Sequence, residues 1–217
     1  MTNPRLCYQT IEFGKTDIHL CTLRNTQEFH DPEGVAEALG ISSAVWPIFG
    51  VIWPSSLVLA HLMSDYDTSR KRVLEVGCGM ALSSLLLNKQ DTDITATDYH
   101  PESDNFLVRN TLLNGDKKIP FEQTDWASQD DKLGLFDLII GSDLLYEDGH
   151  IELLAQFLKA HSKPKCEVII VDPGRGRKTK LSTQMIEFGF SASSEVPRLK
   201  GYFDENFKGH ILKFIRE

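Results

Sequence analysis

The chain alternates between short apolar runs and longer stretches with helical spacing. Residues 5–13 and 17–23 alternate apolar with polar side chains on either side of a Gly-Lys-Thr turn, which predicts a β-hairpin. From residue 70 onward several apolar runs are uninterrupted, as in parallel strands buried on both faces. The predicted strands of this part are 72–76, 93–97, 119–124, 136–141, 166–171, 190–197 and 208–215. The predicted helices are 54–64, which precedes this part, and 80–88, 102–114, 148–160 and 178–188.

This order of elements predicts an α/β fold. We expect a Rossmann-like, seven-stranded, mostly parallel sheet with helices on both faces, whose last two strands form an antiparallel pair. Residues 1–50 are predicted to be an N-terminal extension that carries the β-hairpin, with 27–44 irregular or weakly helical, and residues 51–217 to be the sheet domain. Such sheets bind ligands at the carboxyl ends of their strands, beside the switch point.

A glycine-rich turn follows the first strand of the predicted sheet. The run Glu75–Ala81 has glycines at 77 and 79, which let the backbone turn sharply and approach a ligand. A helix that opens at Met80 would point free N–H groups at that ligand. Asp98 closes the next strand, where a carboxylate can accept both hydroxyls of a ribose. The pattern predicts a site for a nucleoside-containing cofactor.

Two cofactors use this geometry. A dinucleotide fingerprint requires a third glycine at position 82, where the chain has Leu82. Glu75, two residues before the first glycine, suits the ammonium of a methionine moiety, whereas it would repel a pyrophosphate. These residues favour S-adenosyl-L-methionine over a nicotinamide cofactor.

Further short motifs lie before the sheet and after its next strands. They are Val51-Ile52-Trp53-Pro54-Ser55-Ser56-Leu57, Asn110-x-x-x-Asn114, Asp125-Trp126 and Ser142-Asp143-Leu144-Leu145-Tyr146. The glycine turn with Asp98 resembles the first two motifs of class I methyltransferases. Together with the further motifs, it resembles the family-16 lysine methyltransferases, the seven-strand group that methylates protein lysines. The resemblance covers about residues 45–175.

The resemblance implies roles for individual residues at the cofactor. It places Trp53, Glu75, Gly77, Asp98, Trp126 and Ser142 around S-adenosyl-L-methionine, and the local chemistry adds Gly79 and Asp125. Trp126 offers a face for the adenine, and Asp125 an acceptor for the adenine amine. The alternatives are a core tryptophan at 126 and, for Trp53, a side chain that fastens the preceding loop to the core.

The resemblance also implies the catalytic pair Asp143 and Tyr146. Methyl transfer is a displacement that depends on holding nucleophile, methyl carbon and sulfur in line. A lysine has a reference pKa of about 10.4, so it must lose a proton before it attacks. Asp143 would orient the incoming amine, Tyr146 would line its channel, and water could take the proton. The alternative for Asp143 is to cap the following helix.

The segment Asp172-Pro173-Gly174-Arg175 is similar to the Asp-Pro-Gly-Arg of the electron-transfer-flavoprotein β-subunit lysine methyltransferases. Arg175 would then recognise a carboxylate on the substrate. The alternative is an ordinary surface turn.

Composition narrows the possible partners. A formal net charge of -8 disfavours a nucleic-acid substrate, because phosphate binding needs clustered Lys and Arg. The cysteines and histidines have no metal-ligand spacing, so we expect reduced thiols and no metal. The N-terminus lacks the pattern of a signal peptide, and no apolar run was expected to approach the ~20 residues of a membrane span. We therefore expect a cytoplasmic, monomeric protein with a protein substrate and no membrane contact.

The resulting hypothesis is an S-adenosylmethionine-dependent methyltransferase that N-methylates lysine side chains of a protein. A small-molecule amine is the alternative acceptor, because one fold serves both. A catalytically inactive scaffold that binds the cofactor is the third hypothesis. The intact glycine turn, Asp98 and Asp143 argue against it.

Overall fold

The structure is a computed structural model of the 217-residue chain, and it describes residues 3–128, 131–146, 149–197 and 207–217. A two-stranded antiparallel sheet precedes a seven-stranded sheet. The strands are β1 Leu6–Phe13, β2 Thr16–Leu23, β3 Arg72–Val76, β4 Asp93–Asp98, β5 Phe121–Gln123, β6 Phe136–Ser142, β7 Ser162–Asp172, β8 Ser191–Glu195 and β9 His210–Arg216. The helices are α1 Val35–Ala38, α2 Pro54–Ser64, α3 Leu82–Lys89, α4 Glu102–Leu113, α5 His150–His161 and α6 Lys178–Glu187, with a 3₁₀ helix at Trp46–Gly50.

The large sheet has the order β5-β4-β3-β6-β7-β9-β8. Strands β5, β4, β3, β6 and β7 are parallel, whereas β9 pairs antiparallel with both β7 and β8. The predicted Rossmann-like sheet, its final antiparallel pair and the N-terminal hairpin are therefore confirmed. Because the chain leaves β3 on one side for β4 and later returns on the other side as β6, the switch point lies at β3.

Alternate residues of each central strand enter separate cores on the two faces of the sheet. Val73, Leu138 and Ile140 belong to a cluster that also contains apolar side chains of α2 and α3. Leu74 and Ile139 belong to a second cluster, with α5 and α6. Each strand is thus buried on both faces, which is why these strands are continuous apolar runs in the sequence.

The hairpin is fastened to the sheet domain by two asparagines, one within α4 and one at its C-cap. Asn110 Oδ1 accepts a hydrogen bond from Cys21 N at 2.7 Å, and its Nδ2 donates to Cys21 O at 3.2 Å. One helical turn later, Asn114 makes the same pair of bonds with His19 N and O, at 2.9 and 2.7 Å. The carboxamides therefore satisfy the free edge of β2 as a neighbouring strand would. This is the physical role of the Asn-x-x-x-Asn motif.

The segment between the hairpin and α2 covers the carboxyl edge of the sheet. Trp46 and Phe49 from its 3₁₀ helix pack with Met80 of the glycine turn and Phe106 of α4. By length and composition, the 19 residues Trp46–Ser64 would suffice to cross a bilayer, which is a longer apolar stretch than expected from sequence. The stretch is divided by extended backbone at Val51, with φ of -125° and ψ of 160°, and part of it is buried in the core.

Several element boundaries differ from the expected ones by one or more residues, and two of the differences have a local structural cause. Helix α3 begins at Leu82 rather than at residue 80, because Ala81 has the left-handed conformation, with φ of 55°. Strand β7 begins at Ser162 rather than at residue 166, and its pairing with β6 shifts register between Phe136 and Leu138. The predicted start of α5 at residue 148 lies outside the described residues.

Replacing Asn110 by Ala should loosen the hairpin. The substitution leaves the buried N–H and C=O of Cys21 without these partners, and we expect the free energy of unfolding to fall by about 2–4 kcal/mol. Urea unfolding measures the loss. Hydrogen exchange at Cys21 should accelerate in the same variant.

Asn105→Ala, on the exposed face of the same helix, is the matched control and should cost less than about 0.5 kcal/mol. Equal losses in the two variants would contradict the docking role of Asn110.

Candidate active site

The glycine turn lies at the carboxyl end of β3, where the polypeptide passes over the edge of the sheet. Gly77 and Gly79 have φ values of 60° and 52°, in the left-handed region that favours glycine. A Cβ on Gly79 would lie 3.0 Å from Phe49 O, and one on Gly77 would lie 2.5 Å from Leu144 Cδ2. Both positions therefore favour glycine by conformation, and at Gly79 the nearby backbone oxygen also leaves little space for a side chain.

Asp98 joins the glycine turn to the neighbouring strand. Its Oδ2 accepts a hydrogen bond from Gly79 N at 2.7 Å, and its Oδ1 accepts one from His100 N at 2.8 Å. A second bond, from Cys78 N to Thr97 O at 2.9 Å, connects the same two segments. Burial raises the pKa of the Asp98 carboxyl. Ser103 and the Tyr99 backbone also act on this carboxylate, and a ligand hydroxyl would bind its remaining lone pairs.

Glu75 lies beneath the turn and is 2% exposed. Its Oε2 accepts hydrogen bonds from Ser84 N at 2.8 Å and Ser84 Oγ at 2.5 Å, so the carboxylate holds the first turn of α3. Burial raises the pKa of Glu75 to about 7, although the bonds from Ser84 oppose the shift. One oxygen of this predicted cofactor ligand is thus occupied by the protein. Its role toward an ammonium stays a prediction.

Trp53 stands at the start of α2. Its indole Nε1 donates a hydrogen bond to Ile48 O at 2.9 Å, which closes the loop between the 3₁₀ helix and α2. This bond is the one expected if Trp53 fastens the preceding loop. The ring is only partly buried, so contact with a cofactor stays a prediction beside that structural role.

A buried aromatic layer lies behind Asp98. The rings of His100 and Phe49 stack with centroids 3.9 Å apart, and Trp46 meets both rings edge-on. Burial lowers the pKa of His100 to about 4, so this ring is neutral near neutral pH. The layer supports the Phe49 carbonyl that faces Gly79.

Asp125 and Trp126 follow β5 at the same edge. Asp125 Oδ1 accepts a hydrogen bond from Ala127 N at 2.9 Å and orders the turn, but the residue is exposed. Trp126 is partly buried, packs against the α5 side of the sheet and meets His150 edge-on. Thr124 Oγ1 is buried without a hydrogen-bond partner among the described residues. Buried polar groups are normally paired, so this hydroxyl has hydrogen-bonding capacity that the described residues do not use.

Ser142 ends β6, and Asp143 follows with a φ of 55°. Asp143 N donates to Val171 O at 2.9 Å, which ties the ends of β6 and β7 together. Asp143 does not cap helix α5: the N-cap is Gly149, without a side-chain cap. Tyr146 is 49% exposed at the rim of the site.

The Arg175 guanidinium forms a bidentate ion pair with the Asp143 carboxylate. Arg175 Nε donates to Oδ1 at 2.7 Å and Nη2 donates to Oδ2 at 2.9 Å. The sequence predicts that Arg175 recognises a carboxylate on the substrate. In the structure it binds the Asp143 carboxylate of the same chain. The residues are 32 positions apart, so no local pattern indicates the pair.

The structure therefore brings the predicted residues together at one edge of the sheet. The glycine turn, Asp98, Asp125, Trp126, Ser142 and Asp143 all follow the carboxyl ends of adjacent parallel strands. Within the described ranges, no group of three or more His, Cys, Asp or Glu side chains has the arrangement of a metal site.

This sheet order, with a glycine turn after the switch-point strand and an acid after its neighbour, defines the class I methyltransferase architecture. A solved structure of this class, magnesium protoporphyrin IX methyltransferase from Synechocystis with bound SAM, has the same fold at a TM-score of 0.57. It is 17% identical and covers 75% of this chain and 78% of that one.

The model of the family described as lysine methyltransferase matches residues 40–187, so the chain belongs to that family. It is 28% identical over 131 residues to protein N-lysine methyltransferase METTL21A of Danio rerio, covering 57% of this chain and 60% of that protein. It is 32% identical over 124 residues to histidine protein methyltransferase 1 homolog of Dictyostelium discoideum, covering 53% of this chain and 40% of that protein. The chain thus matches only part of the length of these two relatives.

The buried carboxyl of Glu75 should make stability depend on pH. Its folded-state pKa of about 7 exceeds the ordinary value of 4.5, so the folded protein holds the proton more tightly than the unfolded chain. The contribution of this group is therefore most favourable below about pH 4.5 and is lost as pH rises through 7. Relative to Glu75→Gln, the wild-type free energy of unfolding should fall by about 3 kcal/mol between pH 4.5 and 8.

Urea unfolding of both proteins across this pH range measures the difference. Glu152→Gln changes an exposed residue of α5, and its free energy of unfolding should vary with pH as that of wild type does. Parallel curves for wild type and Glu75→Gln would contradict the raised pKa.

Proposed function

We propose that this protein is an S-adenosyl-L-methionine-dependent methyltransferase that N-methylates a side chain of a protein substrate, with lysine as the acceptor. The observation that carries the proposal is the placement of Asp143 directly after β6, one strand from the glycine turn and two strands from Asp98. Membership of the lysine methyltransferase family supports it. An acceptor held by Asp143 would then lie beside a cofactor held by the turn.

The residues at the sheet edge fit S-adenosyl-L-methionine. Gly77 and Gly79 turn the backbone sharply at the end of β3, and the Asp98 carboxylate stands next to that backbone. Asp98 would accept the ribose hydroxyls, Trp126 would contact the adenine, and the turn would hold the methionine end. Trp53, Glu75, Asp125 and Ser142 are proposed as the remaining contacts.

The cofactor supplies an electrophilic methyl group on a sulfonium. The neutral amine nitrogen would bond to the methyl carbon as the carbon–sulfur bond breaks, and the electron pair of the broken bond would go to sulfur. The new methylammonium then loses a proton to water. Asp143 would hold the amine by accepting one of its N–H groups, and Tyr146 would line the entry. Their contribution is alignment, which acts on the entropy of activation.

Methyl transfer into a cell extract tests the proposal. The protein should transfer tritium from S-adenosyl-L-[methyl-³H]methionine into a protease-sensitive, nuclease-resistant band, and amino-acid analysis of that band should yield methyl-lysine. Asp143→Ala should reduce this transfer at least tenfold while cofactor binding stays within threefold of wild type.

The other outcomes separate the alternatives. Label in methyl-histidine would move the acceptor to the residue named for the Dictyostelium relative. Label confined to small molecules would establish the metabolite alternative. No label despite cofactor binding would contradict the enzymatic proposal.

Asp98→Asn should weaken cofactor binding at least tenfold, a loss of about 1.4 kcal/mol. The amide has no negative charge for the ribose hydroxyls, and its NH₂ would face an N–H that now donates to the carboxylate. Calorimetric titration with S-adenosyl-L-methionine measures the affinity. Asp93→Asn, at the opposite end of the same strand and exposed, is the matched control. Equal affinities in all three proteins would exclude Asp98 from the cofactor site.

We also propose that the protein is cytoplasmic and monomeric and acts without membrane or nucleic-acid contact. The division into residues 1–50 and 51–217 and the electron-transfer-flavoprotein subgroup likewise stay predictions.

A further inference from the structure

A catalytic carboxylate poses a problem for amine methylation. A free carboxylate beside an amine stabilises the ammonium form and raises its pKa. The ammonium has no lone pair, so it cannot attack the methyl carbon. A site that orients the substrate amine with Asp143 therefore needs a feature that keeps the bound amine from staying protonated.

Arg175 supplies a compensating charge at that carboxylate. Its guanidinium takes both oxygens of Asp143 in a bidentate pair, at 2.7 and 2.9 Å. Each oxygen has a second lone pair, which can still accept an N–H from a substrate amine. The paired carboxylate thus retains its directional acceptors while its charge is neutralised.

The turn that carries Arg175 is itself held in place. Asp172, which is fully buried, accepts hydrogen bonds from Gly174 N at 3.1 Å and from Arg175 N at 3.4 Å. Asp143 is held from the other side by its N–H bond to Val171 O. The two ends of the ion pair are therefore fixed by neighbouring strands, as a preorganised element requires.

The charged and titratable groups around the pair are few among the described residues. Asp143, Asp172 and Tyr146 all act on the Arg175 guanidinium, whose pKa is raised mainly by its hydrogen bonds to Asp143. His150 lies next, with its ring 6.1 Å from that of Tyr146. Arg177 is the next cation on the turn and donates from Nη1 to Arg175 O at 3.4 Å, whereas Arg175 is the residue whose guanidinium pairs with Asp143.

We propose that Arg175 is a positioning residue that neutralises Asp143, so that the site takes up the substrate amine in its uncharged, nucleophilic form. This inference rests on the proposed function for its substrate. It assigns Arg175 a role in the protonation state of the acceptor rather than in recognition of a substrate carboxylate.

The first test is the pH dependence of kcat, which reports ionisations in the enzyme–substrate complex. The probe is the unmethylated form of the protein that the extract experiment identifies. In Arg175→Gln, the midpoint of the increase of kcat with pH should shift to a pH about one to three units higher. The variant should therefore be at least tenfold slower at pH 7.5 and recover at high pH, with a KM no higher than that of wild type.

Two further variants separate charge from turn structure. Arg175→Lys keeps the charge but loses the fork, so its kcat profile should lie between those of wild type and Arg175→Gln. Arg177→Gln removes a cation from the same turn and should leave the pH dependence of kcat unchanged. A uniform loss of kcat at all pH values in Arg175→Gln would indicate a purely structural role and overturn the proposal.

The second test needs no methyl transfer. n-Butylamine is titrated into the protein with S-adenosyl-L-homocysteine at pH 8, and calorimetry in buffers of different ionisation enthalpy counts the protons released. Wild type should release about one proton per amine bound, because it selects the neutral form, and Arg175→Gln should release close to none. Equal proton release, or no amine binding to wild type, would contradict the proposal even if methyl transfer were established. The expected release without any methyl transfer would leave the charge compensation standing while the proposed function failed.

Discussion

The carboxylate of Asp98 is the constraint around which the site is built. Its two oxygens bind the backbone of the glycine turn on one side and of the segment after β4 on the other. A parallel sheet brings the ends of neighbouring strands to one edge but does not define the path of the loops that leave them. The Asp98 hydrogen bonds define that path, and Phe49 O lies close to Gly79. A group that orders this much backbone is well placed to present its remaining lone pairs to a ligand.

The site also depends on parts of the molecule that carry no chemistry. Asn110 and Asn114 tie the hairpin to α4 by pairing with the backbone of β2. The segment that follows the hairpin brings the aromatic layer over the end of β4. Support of this kind is needed because a catalytic geometry is only as precise as the shell that holds it.

Several residues have contacts beyond the roles first inferred for them. Glu75 holds the first turn of α3, and Trp53 closes the loop that precedes α2. Both contacts are compatible with a cofactor nearby, since neither uses all of the side chain. Asp143 and Arg175 neutralise each other at the mouth of the site. In the proposed function, that pairing makes the acceptor position less anionic than an unpaired Asp143 would.

The sequence alone determined the fold class and most element positions, because apolar runs, glycine and acidic residues act over a few neighbouring positions. The parallel sheet, the hairpin, the glycine turn and Asp98 could all be derived in this way. The start of α3 was missed because the left-handed conformation of Ala81 is imposed by the turn and has no residue signature. Only the tertiary structure decided that Arg175 meets Asp143 and that Asn110 meets Cys21, 89 residues earlier. Such contacts depend on where whole strands and helices pack, and that information is not carried by local spacing.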